Sequence, residues 1–340
     1  MGSMSPKDRL LRVLRREKVD RPPVISPGGM MNAAVVDVMK KEGHTFPQAH
    51  RDDHLMSELA WDVYENTGFE NLGIPFCLTV EAEALGSEVN YGSLECEPKI
   101  EKEKFSSAAK FEPRDGQGLE KSERIGTVVQ AGYRLSNKYP EIPVIGNLTG
   151  PISTAASVVD PMIFLRELRK DKENAHRVVD YVSDLLLEYA GLLLGNGATL
   201  ITIGDPTATG EILGPRMFEE YAVRYLNKIC DGIHALDAPV IVHICGNIKP
   251  VKRYIAQIRS DAVSTDAMVN LQALKREYPQ LVTMGNVSTY LLQFGTADKV
   301  GGRARRLVRE GIDIISPACG LSTSTPLENI RAMTRAVKEM

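Results

Sequence analysis

The sequence has little of what marks a secreted, membrane-bound or nucleic-acid-binding chain. Five of its 340 residues are cysteine, too few and too scattered for a disulfide framework, which leaves free thiols or metal ligation as their uses. No apolar run approaches the roughly 20 residues of a membrane-spanning helix, and the run around Leu192 and Leu194 falls far short. The 41 basic residues nearly balance the 44 acidic ones and are dispersed, so no electrostatic footprint for a phosphate backbone exists and nucleic acid is not an expected partner. Met1-Gly2-Ser3 reads as an expression scar ahead of Met4, and Ser5-Pro6-Lys7-Asp8 begins no apolar signal-peptide core. Low-complexity segments are missing too. The expectation is a soluble, cytoplasmic protein with no membrane partner.

What is present is a rhythm. Eight short runs rich in β-branched residues, at 24–26, 72–76, 144–147, 200–203, 240–243, 262–265, 281–285 and 312–316, alternate with helical stretches such as 215–235 and 299–309. Eight such units predict an α/β fold, a modified (β/α)8 TIM barrel, and a barrel of this kind occupies 1–340 as one domain. Residues 6–16 predict a basic amphipathic helix stopped before Arg21-Pro22-Pro23, placed to plug the lower end of the barrel. Residues 79–113, strand-like and then charged, predict an insertion after the second strand, a hairpin and loop near the mouth, followed by a helix over 118–138. An open doubly wound sheet fits less well, because Ser26-Pro27-Gly28-Gly29 is a tight turn and not a GxGxxG phosphate loop.

Barrel chemistry gathers at the carboxyl ends of the strands. His243-Ile244-Cys245-Gly246-Asn247 stands at one such end, where residues two apart in an extended chain face the same side. Pro317-Ala318-Cys319-Gly320 stands at another. One imidazole and two thiolates suit Zn²⁺ with a fourth position left for substrate, and three protein ligands imply an open, catalytic site. The competing account is that the cysteines are small buried hydrophobes and His243 a hydrogen-bonded core residue. Cys230 lies in a helical stretch, and Cys77 and Cys96 have no ligand partner at useful spacing. Asn147, Asp205, Asp266 and Asn286 occupy other strand ends, where helix capping and turn formation compete with function. Asp205, just past a fully apolar strand, is the candidate catalytic carboxylate. Glu81 and Glu83 alternate with apolar residues at strand spacing and read as a solvated strand face or as a lining of the mouth.

These motifs together resemble the corrinoid-dependent methyltransferases of the uroporphyrinogen decarboxylase superfamily, the group with methylcobalamin:coenzyme M and chloromethane methyltransferases. The likeness runs from Pro6-Lys7-Asp8-Arg9-Leu10 and Val19-Asp20-Arg21-Pro22 through Gly73-Ile74-Pro75-Phe76-Cys77, Thr79-Val80-Glu81-Ala82-Glu83 and Asp205-Pro206-Thr207-Ala208 to Thr325-Pro326. The family's zinc pattern, HxC followed much later by C, is matched by His243, Cys245 and Cys319. The resemblance implies methyl transfer involving a cobalamin carried by a separate corrinoid protein that docks over the mouth, with homodimerisation a family-level expectation. Its expected site has Asp205 as catalytic group and Glu81, Asn147, Asn247 and Asn286 around the substrate. The arginine-rich segment that grips substrate carboxylates in the decarboxylases is replaced by Ser26-Pro27-Gly28-Gly29-Met30-Met31, which argues against decarboxylation. The leading expectation is a thiol acceptor such as coenzyme M activated on zinc. The alternatives are a methyl donor (aryl methyl ether, methylamine or methyl halide) passing methyl to the corrinoid, and a non-catalytic corrinoid-protein binder with structural zinc.

Overall fold

The computed structural model describes residues 4–114 and 118–340, so the suspected scar at Met1-Gly2-Ser3 lies outside the described residues. Its strands are β1 Leu72–Ile74, β2 Glu88–Asn90, β3 Lys99–Lys102, β4 Val144–Thr149, β5 Leu200–Gly204, β6 Val240–Ile244, β7 Ala262–Thr265 and β8 Thr283–Met284. Six of them form one parallel sheet in the order β1-β4-β5-β6-β7-β8. Single bridges close the ring: Met284 pairs with Ile314, and Ile315 with Val24. The Glu70 amide then donates to the Val24 carbonyl at 2.9 Å beside β1. The fold is the modified TIM barrel expected. The runs at 24–26 and 312–316 contribute only these bridges, because Pro22, Pro23 and Pro27 flank the first and Pro317 ends the second, and proline donates nothing to a ladder.

β4 to β7 are buried at every position, as parallel strands covered on both faces must be. The register carries one row of residues around the wall: Thr149 beside Gly204, Gly204 beside His243, His243 beside Ser264, and Ser264 beside Met284. That row sits at or near the carboxyl ends of the strands and positions the site.

The first helix, Pro6–Leu14, starts where Ser5 accepts the Asp8 amide at 3.1 Å. Its Leu10, Val13 and Leu14 pack with Leu200, Ala262 and Val282, at the amino ends of β5, β7 and β8, so it plugs the lower end of the barrel. An ion cluster buried at Arg9 and Glu70 fastens it: Arg9 reaches Glu70 at 2.7 Å and the exposed Asp20 at 2.7 Å, while Glu70 also holds Arg21 at 2.7 Å and accepts the Val24 amide at 3.0 Å. Burial works to raise the Glu70 carboxyl, but Arg21, the Val24 amide and Arg9 together hold it below its ordinary value.

Two sequence expectations need correction. Residues 80–84 form a short helix, Val80–Ala84, and the hairpin of the insertion is made by β2 and β3 further on, so Glu81 and Glu83 do not sit on a strand face. The helix expected over 215–235 is present: Gly214, at φ +66, sets its start at Pro215, and it runs through a π-turn over Phe218–Val223 into Arg224–His234. The helix expected from 118 begins at Glu123, after a single 3-10 turn at Leu119–Lys121. No helix among the described residues is long and apolar enough to cross a membrane.

Candidate metal centre

β6 ends by delivering His243 into the mouth, and the chain continues extended long enough for Cys245 to follow on the same side. Cys319 arrives from the segment after the eighth barrel position, which is tied to the β8 end by the parallel Val287–Pro317 bridge and by the Ala318 amide donating to Val287 at 2.8 Å. His243 Nε2 stands 3.1 Å from Cys245 Sγ, and the two sulfurs stand 3.6 Å apart. One donor atom from each residue lies within 4.8 Å of the others, and among the described residues no second His, Cys, Asp or Glu cluster converges in this way. The spacing is that of ligands about an ion, since Zn–S bonds of about 2.3 Å at a tetrahedral angle put two sulfurs about 3.8 Å apart. It is far from the roughly 2.05 Å of a disulfide, and both cysteines are free.

His243 is buried and its other ring nitrogen, Nδ1, lies 2.9 Å from Ser264 Oγ. Ser264 is fully buried and stands beside His243 in register, so the pairing of β6 with β7 itself supplies the contact. With Nδ1–H donated to Ser264, Nε2 is the free lone pair facing the sulfurs. Cys319 is held well below the ordinary thiol range, chiefly by the hydrogen bond from Cys245, and Cys245 is correspondingly pushed up, chiefly by Cys319. Asp266 stands next to this group, accepting the Gly246 amide at 3.4 Å.

The other expected site residues are distributed unevenly. Asp205 is completely buried, and its two oxygens accept the Ile152 amide at 3.1 Å, the Ser153 amide at 2.9 Å and Ser153 Oγ at 2.6 Å. It thus caps the helix Pro151–Val158 from across the β5 end, and burial raises its carboxyl despite those donors. Glu81 is buried and spans both donors of Thr149, the amide at 2.7 Å and Oγ1 at 2.9 Å; burial pushes it up to about 7. Asn286 donates to the carbonyls of Asp266 and Val269, both at 2.8 Å, and fastens that loop. Asn247, half-buried, accepts the Lys249 amide at 3.0 Å, a turn contact. Asn147 donates to Thr202 Oγ1, while its Oδ1 is buried with no protein partner.

Spacing along the chain gave no sign of several polar contacts at the mouth. Cys77 lies 3.0 Å from the buried Arg124 guanidinium, which also pairs with Glu83 at 2.7 Å. Asn32 donates to Glu97 at 2.7 Å, tying the loop after the first barrel segment to the insertion. Ser264 was legible in principle, as a polar residue inside an apolar strand, once the register placed it opposite His243.

The model of the uroporphyrinogen decarboxylase family matches residues 5–340. The chain belongs to the uroporphyrinogen decarboxylase family. Within that family it is 32% identical to a methylcobamide:CoM methyltransferase of Methanosarcina acetivorans over 99% of both chains. It is 29% identical to a methylcobamide:CoM methyltransferase of Methanosarcina barkeri over 100% of this chain and 99% of that one. A solved methyltransferase from Methanosarcina mazei superposes with a TM-score of 0.92 at 29% identity, covering 99% of each chain. The resemblance read from the motifs is therefore borne out. Family membership by itself leaves the reaction open, since one fold hosts many chemistries.

Proposed function

We propose that this enzyme transfers a methyl group from a methylcobamide, carried by a separate corrinoid protein, to a small thiol of the coenzyme M type, using zinc held by His243, Cys245 and Cys319. The observation that carries the reading is the convergence of those three donors within 4.8 Å at the barrel mouth. The names of the relatives support the choice of methyl source and acceptor. Zinc bound there would supply Lewis acidity that keeps a thiol deprotonated at neutral pH while its sulfur stays nucleophilic. The cytoplasmic setting expected from the sequence suits such a site, since thiols stay reduced there.

The chain's own residues do the positioning. Ser264 fixes the His243 ring, and Asp205 locks the end of β5 to the helix after β4, so the rim holds its shape when two large partners meet. Asp205 is accordingly a positioning residue in this reading. Asn147, whose Oδ1 is unsatisfied inside the barrel, is the best placed of the expected substrate-binding residues to accept a hydrogen bond. In such a transfer the thiol sulfur would form a bond to the methyl carbon as the methylcobamide's bond to that carbon breaks. The electron pair of the broken bond would stay with the corrinoid of the partner protein, and the proton lost from the thiol would pass to solvent.

The test is Cys319→Ala. It is expected to abolish stoichiometric zinc and reduce thiol methylation, followed by the cobalamin spectrum, to background; full zinc and full activity in that variant would rule the assignment out.

A further inference from the structure

Beside Gly320, the residue after Cys319, stands Met30, a side chain with no role in the site so far. The loop that carries it is drawn into the barrel mouth. Gly29 has φ +56, its amide donates to the Pro75 carbonyl at 2.7 Å, and Asn147 Oδ1 occupies the space a Cβ would need. Ser26 Oγ donates to the Met31 carbonyl and closes the loop's base. Met30 thereby packs against the residue that follows Cys319 and against the end of β5, the strand that pairs with the His243 strand. Its carbonyl lies 2.6 Å from where a Cβ on Gly320, directly after Cys319, would stand. Its Sδ and Cγ lie 3.5 and 3.7 Å from the Cβ position of Gly204, the register neighbour of His243. Met30 also borders the same small internal space as His243, Thr202 and Ser264. Met31 beside it is 2% exposed, whereas Met30 is only half-buried and keeps part of its surface open.

We propose that Met30 is the apolar wall of the acceptor pocket and limits the carbon chain of the thiol to a short aliphatic one. The inference rests on the functional reading above. A thiol whose sulfur reaches the donors must lay its carbons against whatever borders them. Here that is an unbranched, adaptable thioether that borders the same space as His243, its backbone seated where Gly320 has no side chain. An added methylene must displace it, and one methylene in an apolar pocket is worth about 10- to 200-fold in discrimination.

Calorimetric titration of the zinc-loaded protein with 2-mercaptoethanesulfonate and with 3-mercaptopropanesulfonate tests this. The wild type is expected to favour the shorter thiol by about tenfold or more, and Met30→Ala to narrow or reverse that ratio with zinc content unchanged. Met30→Phe is expected to weaken both thiols, the longer one more. An unchanged ratio in zinc-replete Met30→Ala, or Phe tolerated without effect, overturns the inference alone. If the zinc-loaded wild type binds neither thiol, the functional reading falls and this one with it.

Discussion

At the scale of the residue, the account turns on how few atoms are left to chance around His243. A metal-facing imidazole needs its second nitrogen held, and Ser264 Oγ holds it at 2.9 Å without solvent, because Ser264 is fully buried. Ser264→Ala should therefore leave the fold intact and weaken zinc binding by about 10- to 100-fold, measured by competition with a chelator. Affinity equal to wild type would show that the contact is incidental. The three donors were readable from sequence because HxC spacing and a later cysteine at a strand end are chemical statements in themselves. The roles of the polar residues around them were not. Asn, Asp and Glu at strand ends serve caps and substrates equally well, and only the partners decide: Asp205 turned out to face a helix N-terminus and Asn286 two loop carbonyls.

At the scale of the element, short alternating stretches are ambiguous. Glu81 and Glu83 alternate with apolar residues, yet five residues cannot distinguish a strand from a single helical turn, and the segment is helix Val80–Ala84. Its placement matters, since Glu81 ties that helix to Thr149 at the end of β4. Burial raises the Glu81 carboxyl from its ordinary 4.5 to about 7, so between those values the folded state binds a proton that the unfolded chain has released. The stability this group contributes is present in full below pH 4.5 and is lost as pH rises through about 7. Glu81→Gln, which stays neutral, should remove that component. In urea unfolding from pH 5 to 8, the variant is expected to gain on the wild type as pH rises, and a difference independent of pH would refute the assignment. By contrast, Gly214-Pro215 marks the start of the helix expected over 215–235, with proline in the first turn where no intrahelical donor is needed.

At the scale of the whole molecule, the barrel was legible because its signal is repeated: each buried parallel strand is a short apolar run, and the plug helix announces itself by a basic amphipathic stretch before two prolines. Ring closure was less legible, since the runs at 24–26 and 312–316 look like strands yet, with prolines beside them, join only by single bridges at residues 24 and 314–315. What the closed ring achieves is to bring residue 319 to residues 243 and 245, so that a site divided between distant stretches becomes one socket at the rim. The most direct measurement of that claim is zinc K-edge X-ray absorption on the purified protein before and after addition of a thiol. The account predicts one zinc per chain with two sulfurs and one imidazole nitrogen among its ligands, and a third sulfur replacing a light atom once the thiol is present. A protein without stoichiometric zinc, or a coordination shell unchanged by the thiol, would contradict it.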